Sequence, residues 1–340
     1  METQSDTRIE HSLVFAHQGK PAEEYSGPRA LAFDHHRGYL FIGNFSERKV
    51  RAFSVIDWEY VTMPDLNGVC YPMGIAIDRE RDRMFVTNND RLQLRALSTG
   101  AILSHIGDQA ECTFSAPKGI AIDKHHHRII IADTNNNRLV FLSSDDLSFL
   151  FEVGKAGSQP GEFQCPTGLA IDHDRHRILV CESLNYRVQV LSLIDGSFLF
   201  EIGSCGKRPG QFYYARSICI DNQGRIIVAD SNNHRLEAFT PAGQYISSFD
   251  CGREYPYAVA FDERRGLIAF AADNRVHVIG ANQWIPNTLF TWSPDQHRTL
   301  RAPSPIKEAV EAMTMIRSLA PESAISMLPN ELLFEIFSYL

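Results

Sequence analysis

Short apolar segments alternate with polar turns along most of the chain. Residues 117–142 show the pattern clearly, reading PKGIAIDKHHHRIIIADTNNNRLVFL, and SFLFEVG follows at residues 148–154. The apolar runs are about five residues long and rich in Ile, Val, Leu and Phe, which favours strands over helices. Asp, Asn and basic residues separate the runs, as expected of tight turns. The pattern therefore predicts a meander of four antiparallel strands.

The same four-stranded unit recurs six times. Each copy has an Asp at the end of its first apolar run, and these residues are Asp34, Asp78, Asp123, Asp172, Asp221 and Asp262. A period of about 40 to 50 residues with four strands is typical of a blade of a β-propeller. One blade cannot bury both of its faces, so six blades should stack around a ring. We expect an all-β fold, a six-bladed β-propeller with a short α-helical C-terminal tail.

The domain boundaries follow from these copies. The propeller is predicted over residues 11–280, and its repeats start near residues 28, 72, 117, 166, 215 and 256. We expect a disordered N-terminus at residues 1–10, a linker at 281–305 and a helical tail at 306–340.

A segment before the first copy provides a means of closing the ring. Residues 11–19, HSLVFAHQG, resemble the fourth-strand segments but have no preceding three strands of their own. An open ring would leave an unpaired strand at each end. We therefore expect this segment to pair with the last repeat, near the sequence RVHVI.

The repeat sequences resemble NHL repeats. PKGIAIDKHHHRIIIADTNNNRLVFL and ARSICIDNQGRIIVADSNNHRLEAF follow the pattern P-x-G-I-A-I-D and then I-V-A-D-x-x-N-x-R-L-x-x-F, although the second has Ala215 in place of the Pro. The resemblance covers residues 28–279. It implies a six-bladed propeller that binds partners, and RNA binding is known in that family.

The C-terminal tail has the pattern of two amphipathic helices. Residues 306–319 carry apolar side chains at helical spacing, and LPNELLFEIFSYL follows at residues 328–340. The second segment resembles the start of an F-box or a degenerate SOCS box, which implies docking on a Skp-type or elongin-type adaptor. The alternative is a helical pair that covers the ring or dimerises. The implied adaptor-binding residues are Leu328, Pro329, Leu332, Ile336, Phe337 and Leu340.

Charge and cysteine usage narrow the function classes. The net charge is -8, whereas nucleic-acid binders usually rely on a basic excess. No apolar run is long enough to span a membrane, and the first ten residues are polar, so we expect a cytoplasmic or nuclear protein. The seven cysteines contain no CxxC pair, which favours buried thiols over a metal site.

The turns between second and third strands should share one face of the ring with the linkers between blades. The carboxylates and arginines of these turns, such as Asp133 and Arg138, are expected to bridge the turns themselves or neighbouring blades. We predict partner contacts from the side chains that the turns do not need, since exposed aromatic and basic residues dominate interfaces. These are Phe45, Arg48, Asn136, Lys155, Tyr186, Lys207, Arg208, Phe212, Tyr213, Asn233 and His234.

These observations predict a non-catalytic protein-interaction module that serves as the substrate receptor of a cullin-RING ubiquitin ligase. No catalytic, cofactor-binding or metal-binding residues are expected, because the first strands, such as GIAID, carry no ligand set. Two alternatives stay open. One is an RNA-binding NHL propeller, and the other is a propeller lyase or hydrolase with a metal in the central channel.

Overall fold

The computed structural model describes residues 13–14, 27–57, 59–63, 71–107 and 113–285. The predicted N-terminal disorder, the tail helices and all six predicted adaptor-binding residues lie outside these described residues.

Six antiparallel sheets of four strands form the described structure. Blade one comprises β2 (Pro28–Asp34), β3 (Tyr39–Asn44), β4 (Lys49–Ser54) and β5 (Tyr60–Val61). Blade two comprises β6 (Gly74–Asp78), β7 (Arg83–Thr87), β8 (Leu92–Ala96) and β9 (Ile102–Ile106). Blade three comprises β10 (Pro117–Asp123), β11 (Arg128–Asp133), β12 (Arg138–Ser143) and β13 (Phe149–Val153). Blade four comprises β14 (Pro166–Asp172), β15 (Arg177–Glu182), β16 (Arg187–Ser192) and β17 (Phe198–Ile202). Blade five comprises β18 (Ala215–Ile220), β19 (Ile226–Asp230), β20 (Arg235–Phe239) and β21 (Tyr245–Asp250). Blade six comprises β22 (Pro256–Asp262), β23 (Leu267–Ala272), β24 (Arg275–Gly280) and, from the N-terminus, β1 (Leu13–Val14). The predicted six-bladed propeller is confirmed.

The hydrophobic core lies between neighbouring blades. The second strand of each blade is almost completely buried, and so is the third strand in blade four, because adjacent sheets cover both faces. One core cluster joins Ile130 and Phe141 of blade three to Ile178 and Leu191 of blade four. Each such side chain contributes about 1.5–3 kcal/mol on burial, so the ring is stable only as a stacked set.

The N-terminal strand closes the ring. In β1, Leu13 pairs with Val278 and Val14 pairs with His277 of β24, so β1 is the outer strand of blade six. For Leu13 and Val14, the described part of the segment 11–19, this confirms the predicted pairing with the last repeat. The physical reason is that the outer strand of blade six would otherwise be missing and the backbone of β24 would be unpaired.

Buried ion pairs join neighbouring blades at the face where first strands end. Asp123 accepts a 2.7 Å hydrogen bond from Arg128, whose guanidinium also donates to the carbonyl of Leu193 in the next blade. Arg177 is placed in the same way and donates to the carbonyl of Pro241 at 2.9 Å. In blades three and four, the Asp that marks the repeat thus orients an arginine that reaches the next blade.

The packed part of the chain extends past the predicted boundary at residue 280. A helical turn at Ala281–Trp284 follows β24, and Trp284 and Ile285 are buried in the core between blades five and six. The ring of Trp284 lies 5.8 Å from that of Phe249, measured between centroids. The first residues of the predicted linker therefore belong to the propeller, because their apolar side chains cover its last interblade core.

Candidate binding face and channel mouth

The linkers between blades and the turns between second and third strands share one face, which we call the linker face. In blade three the turn Thr134–Asn136 is a 3-10 helix, and Asn137 follows with a left-handed φ of 53°. Asp133 lies 2.9 Å from the Nε of Arg138, which confirms that this pair bridges the turn. Equivalent contacts join Glu182 with Arg187 at 2.6 Å and Asp230 with Arg235 at 3.0 Å.

Two predicted contact residues are used by the turns themselves. The side-chain amide of Asn136 donates to Asp133 at 2.8 Å, and that of Asn233 donates to Asp230 at 2.7 Å. Asn233 also donates to the carbonyl of Gly206 in the preceding linker at 2.8 Å. These amides hold the turn and the linker together, so they present few free donors to a partner.

The prediction that Phe212 contacts a partner is wrong. Its side chain is completely buried and packs in the core between blades four and five. Cys205 and Phe212 form a parallel bridge within the linker, and the ring of Phe212 lies against Gly203, where an added Cβ would meet it at 2.4 Å. The linker therefore folds inward at Phe212 and leaves its neighbour Tyr213 exposed.

Four other predicted residues of the linkers lie on the surface. Lys155 is exposed and forms an ion pair with Glu162 at 3.3 Å. Lys207 and Arg208 are exposed, and their backbone carbonyls accept hydrogen bonds from Arg235. Tyr213 is 41% exposed.

Aromatic pairs join the turn of one blade to the linker that leads into the next. Tyr186 and Tyr213 stack with centroids 5.7 Å apart and planes inclined by 9°. The rings of His234 and Tyr255 are 4.3 Å apart. Phe45 and Tyr71 form a third pair at 4.9 Å, and Arg48 lies over the Tyr71 ring and donates to its hydroxyl. The linker face thus presents three aromatic pairs on a rigid frame.

The first strands of all six blades surround a central cavity of about 340 Å³. In five blades a register shift interrupts the pairing of the first and second strands just after the residue that opens the first strand. Such β-bulges re-aim side chains. The residue after the opening Pro or Ala lines the cavity in every blade, and these six residues are Arg29, Met73, Lys118, Thr167, Arg216 and Tyr257.

The cavity lies in the central channel of the ring, and we call this part of the channel, lined by the six residues named above, the channel mouth. Glycine allows the first strands to approach one another closely here. A Cβ on Gly119 would lie 2.1 Å from the carbonyl oxygen of Thr167 in the next blade. A Cβ added at Gly74 would likewise lie 2.2 Å from the carbonyl oxygen of Lys118. Any larger residue at these positions would force the strands apart and widen the channel mouth.

Three of the six channel-lining positions carry cations, and they come from alternate blades. Arg29, Lys118 and Arg216 belong to blades one, three and five. The guanidinium carbon of Arg29 lies 3.7 Å from the centroid of the Tyr257 ring, and that of Arg216 lies 4.8 Å from the same ring. Arg216 is also 4.9 Å from the ring of Tyr214. Two arginines are thus held by aromatic rings through cation–π contacts, and among the described residues no carboxylate pairs with either of them.

The channel mouth brings together three positively charged side chains. Within the part of the chain that the structure describes, no Asp, Glu or His lines the cavity. Burial, together with the charges of Arg216 and Arg29, holds the pKa of Lys118 below its usual value. Burial and the charge of Arg29 likewise lower the pKa of Arg216. The buried Nε of Arg216 has no hydrogen-bond partner.

The sequence analysis did not find the cluster of Arg29, Lys118 and Arg216, because it considered only the apolar segment of each first strand, such as GIAID, and not the residues before that segment. The signal was present one residue after the opening Pro or Ala of each repeat, where the aligned copies place Arg, Met, Lys, Thr, Arg and Tyr. An alignment of that column, combined with ring closure, would have found the three cations.

Among the residues the structure describes, no group of three or more His, Cys, Asp or Glu side chains is arranged to hold a metal ion. Over the same residues, no helix has the length and apolar character needed to cross a membrane.

Comparison with known families agrees with the geometry. Residues 212–239 match the NHL repeat model, and residues 109–188 match a model described as a 6-bladed beta-propeller. The protein is a six-bladed β-propeller in which residues 212–239 match an NHL repeat. No curated protein sequence matches the chain.

Solved structures show the same fold. A chain of the nidogen/laminin complex is 17% identical over 66% of this chain and 81% of its own, with a TM-score of 0.55. A gluconolactonase from Xanthomonas campestris is 12% identical, covers 75% of this chain and 86% of its own, and has a TM-score of 0.60. The Cps50 (Swd1) β-propeller domain of Myceliophteria thermophila is 10% identical, covers 75% and 97%, and has a TM-score of 0.57. At these identities the likeness concerns the fold alone.

Proposed function

We propose that the linker face of this NHL propeller binds a partner protein and that the protein is a non-catalytic interaction module. The observation that carries this proposal is the set of three aromatic pairs, with exposed basic residues between them, on one rigid face. Aromatic and arginine side chains on a preformed surface dominate the binding energy of protein interfaces. One of the three neighbouring folds comes from a protein complex, nidogen with laminin, which is consistent with a binding role.

We further propose that this protein is the substrate receptor of a cullin-RING ubiquitin ligase and that the bound protein is the substrate. We expect the protein to act in the cytoplasm or nucleus. The support for this finer role is the sequence of residues 328–340, which resembles the start of an F-box or a degenerate SOCS box. In this arrangement the propeller selects the substrate and the tail docks on a Skp-type or elongin-type adaptor.

Substitution of the stacked tyrosines tests the binding face. Tyr186→Asn combined with Tyr213→Ser removes one aromatic pair, and Asn tolerates the left-handed φ of 57° at residue 186. Proteins captured by the wild type should be lost from the double variant and retained by the control variant Lys124→Ser. Lys124 is exposed and lies in the turn between the first and second strands of blade three, on the face opposite the linker face. Equal capture by the wild type and the double variant would place the binding surface elsewhere.

Substitution in the tail tests the ligase role. Leu332→Asp with Ile336→Asp should abolish co-purification of purified Skp-type and elongin-type adaptors while the melting temperature stays unchanged. If the wild-type chain binds neither adaptor and the double variant melts earlier, the segment packs on the propeller, because two buried carboxylates without partners cost several kcal/mol. That result would refute the receptor role and leave a plain interaction propeller.

The RNA-binding alternative is favoured by one observation, the exposed basic residues Lys155, Lys207 and Arg208 on the linker face. Filter retention of single-stranded RNA at two salt concentrations distinguishes the two proposals. Retention at sub-micromolar protein that falls steeply with salt would support RNA binding, since phosphate contacts release counterions. Absence of retention at both salt concentrations favours the protein-binding function.

A further inference from the structure

The channel mouth contains three cations, and no group among the described residues neutralises their charges. No ion pair involves Arg29, Lys118 or Arg216 among the described residues, and all three line one cavity. The Nε of Arg216 is buried without an acceptor. A buried donor without an acceptor is costly, as is the mutual repulsion of three like charges, so an arrangement of this kind is stabilised when an anion joins it.

We propose that the channel mouth is a binding site for a phosphate monoester. The site lies inside the ring of first strands, whereas the proposed protein contacts lie on the surrounding turns and linkers. The phosphate site therefore does not depend on the proposal that the linker face binds a protein.

The charge of the site favours a phosphate over a carboxylate. A phosphate monoester carries about -1.5 to -2 charges at neutral pH and has three acceptor oxygens, which suit three converging donors. A carboxylate carries one charge and would leave an excess of positive charge in the cavity. Arginine presents a fork of donors that matches phosphate oxygens, and lysine adds a compact charge.

The shape of the site favours a terminal phosphate over a phosphodiester chain. The cavity of about 340 Å³ is bounded on all sides by first strands, and glycines 74 and 119 keep neighbouring strands close. A monoester needs only one covalent attachment and can enter such a cavity from its open end. A diester within a polynucleotide must pass its chain in and out again, and each of its phosphates contributes a single charge.

The arginines are preorganised for this role. The ring of Tyr257 contacts the guanidiniums of both Arg29 and Arg216, which come from the blades on either side of it. The carbonyl oxygen of Lys118 accepts a hydrogen bond from the Thr87 hydroxyl of the preceding blade, which fixes its backbone. Side chains held before binding lose less conformational entropy when the ligand arrives.

Binding of inorganic phosphate to the full chain tests the site, with acetate at equal ionic strength as the control anion. Phosphate should raise the melting temperature in a concentration-dependent manner, since it binds only the folded state, and acetate should not. Titration calorimetry then gives the dissociation constant. Lys118→Met and Arg216→Met should each weaken phosphate binding by at least about tenfold, which corresponds to about 1.4 kcal/mol.

Two further variants separate charge from folding. Arg216→Lys keeps the positive charge and should bind phosphate within about fivefold of the wild type. Lys155→Met removes an exposed cation from the linker face and should leave phosphate binding unchanged. Equal loss in Lys155→Met and Lys118→Met would refute the channel site, as would a wild-type chain whose melting temperature responds equally to phosphate and acetate.

The source of the phosphate is resolved by comparing three ligands. Inorganic phosphate, O-phosphoserine and a phosphoserine peptide library are titrated against the wild type, with the unphosphorylated library as control. Tighter binding of the peptides than of O-phosphoserine identifies a phosphoprotein as the source, whereas equal binding of all three identifies a free small phosphate. Displacement of inorganic phosphate by single-stranded RNA that lacks a terminal phosphate would refute the monoester assignment.

Discussion

Glu237 is a completely buried carboxyl group in the third strand of blade five, and it should make the stability of the propeller depend on pH. Its Oε1 accepts from the backbone N–H of Gly210 at 3.2 Å and lies 3.1 Å from Arg235, whereas its buried Oε2 has no partner. Burial, with a contribution from the charge of Asp230, raises its pKa to about 7, although Arg235 acts in the opposite direction.

Blade four shows what a neutral side chain does at the equivalent position. Gln189 accepts from the N–H of Gly161 at 2.9 Å and donates its amide to Glu182 at 2.8 Å. A protonated Glu237 can donate to a neighbour in the same way, and an ionised one cannot. We therefore expect Glu237→Gln to reproduce the blade-four arrangement in blade five.

The size of the effect follows from the pKa. A carboxyl raised from 4.5 in the unfolded chain to about 7 in the folded state contributes stability that is fully present below pH 4.5. This contribution is lost as the pH rises through about 7, because the folded state then also releases the proton. The change amounts to about 3 kcal/mol at about 1.4 kcal/mol per pKa unit. Arg235 and Asp230 respond to the same change, so we expect about 1 to 3 kcal/mol.

Urea denaturation at pH 5 and pH 8 measures this effect. The gain in unfolding free energy from Glu237→Gln should be about 1 to 3 kcal/mol larger at pH 8 than at pH 5. The exposed control Glu263→Gln should show no such difference, and Gln189→Glu should introduce the pH dependence into blade four. An equal effect of Glu237→Gln at both pH values would refute the reasoning.

Two further predictions concern the ring. Arg128→Met should lower the unfolding free energy by about 3 kcal/mol, because the buried Asp123 then keeps only His126 as a side-chain partner and a bond to the next blade is lost. The exposed Arg175→Met should change little in the same urea titration. If both variants unfold at the same urea concentration, the interblade contact is not important for stability. Deletion of residues 1–20 should lower the melting temperature sharply because β1 is lost, whereas deletion of residues 1–8 should not, and similar melting of the two truncations would contradict closure by β1.

The repeat pattern alone determined the blade number and the closing strand. Five blades are built from four strands that are consecutive in sequence, and blade six takes three consecutive strands, so the apolar periodicity and the recurring Asp of each first strand report the structure directly. The pairing of β1 with β24 followed from the need to satisfy a bare strand edge. The bridging of turns by Asp133 and Arg138 was also predictable, because these residues are only five positions apart.

Only the tertiary structure decided which side chains are available for binding. Phe212 and Tyr213 are adjacent aromatic residues in one linker, and the sequence pattern does not tell which of them turns inward. The bridge between Cys205 and Phe212 places the Phe212 ring in the interblade core and leaves Tyr213 exposed. Likewise Asn136 and Tyr186 occupy equivalent turns, but the amide of Asn136 is used within its own turn.

The channel mouth depends on tertiary structure most of all. Arg29, Lys118 and Arg216 lie in different repeats, and each of them reads in its own repeat as a single polar residue at the start of a strand. Closure of the ring brings alternate blades to one axis, and the β-bulges after the opening residues allow these side chains to line it. Local patterning determines the blades because strand pairing is local, whereas the charge cluster exists only after six blades have closed.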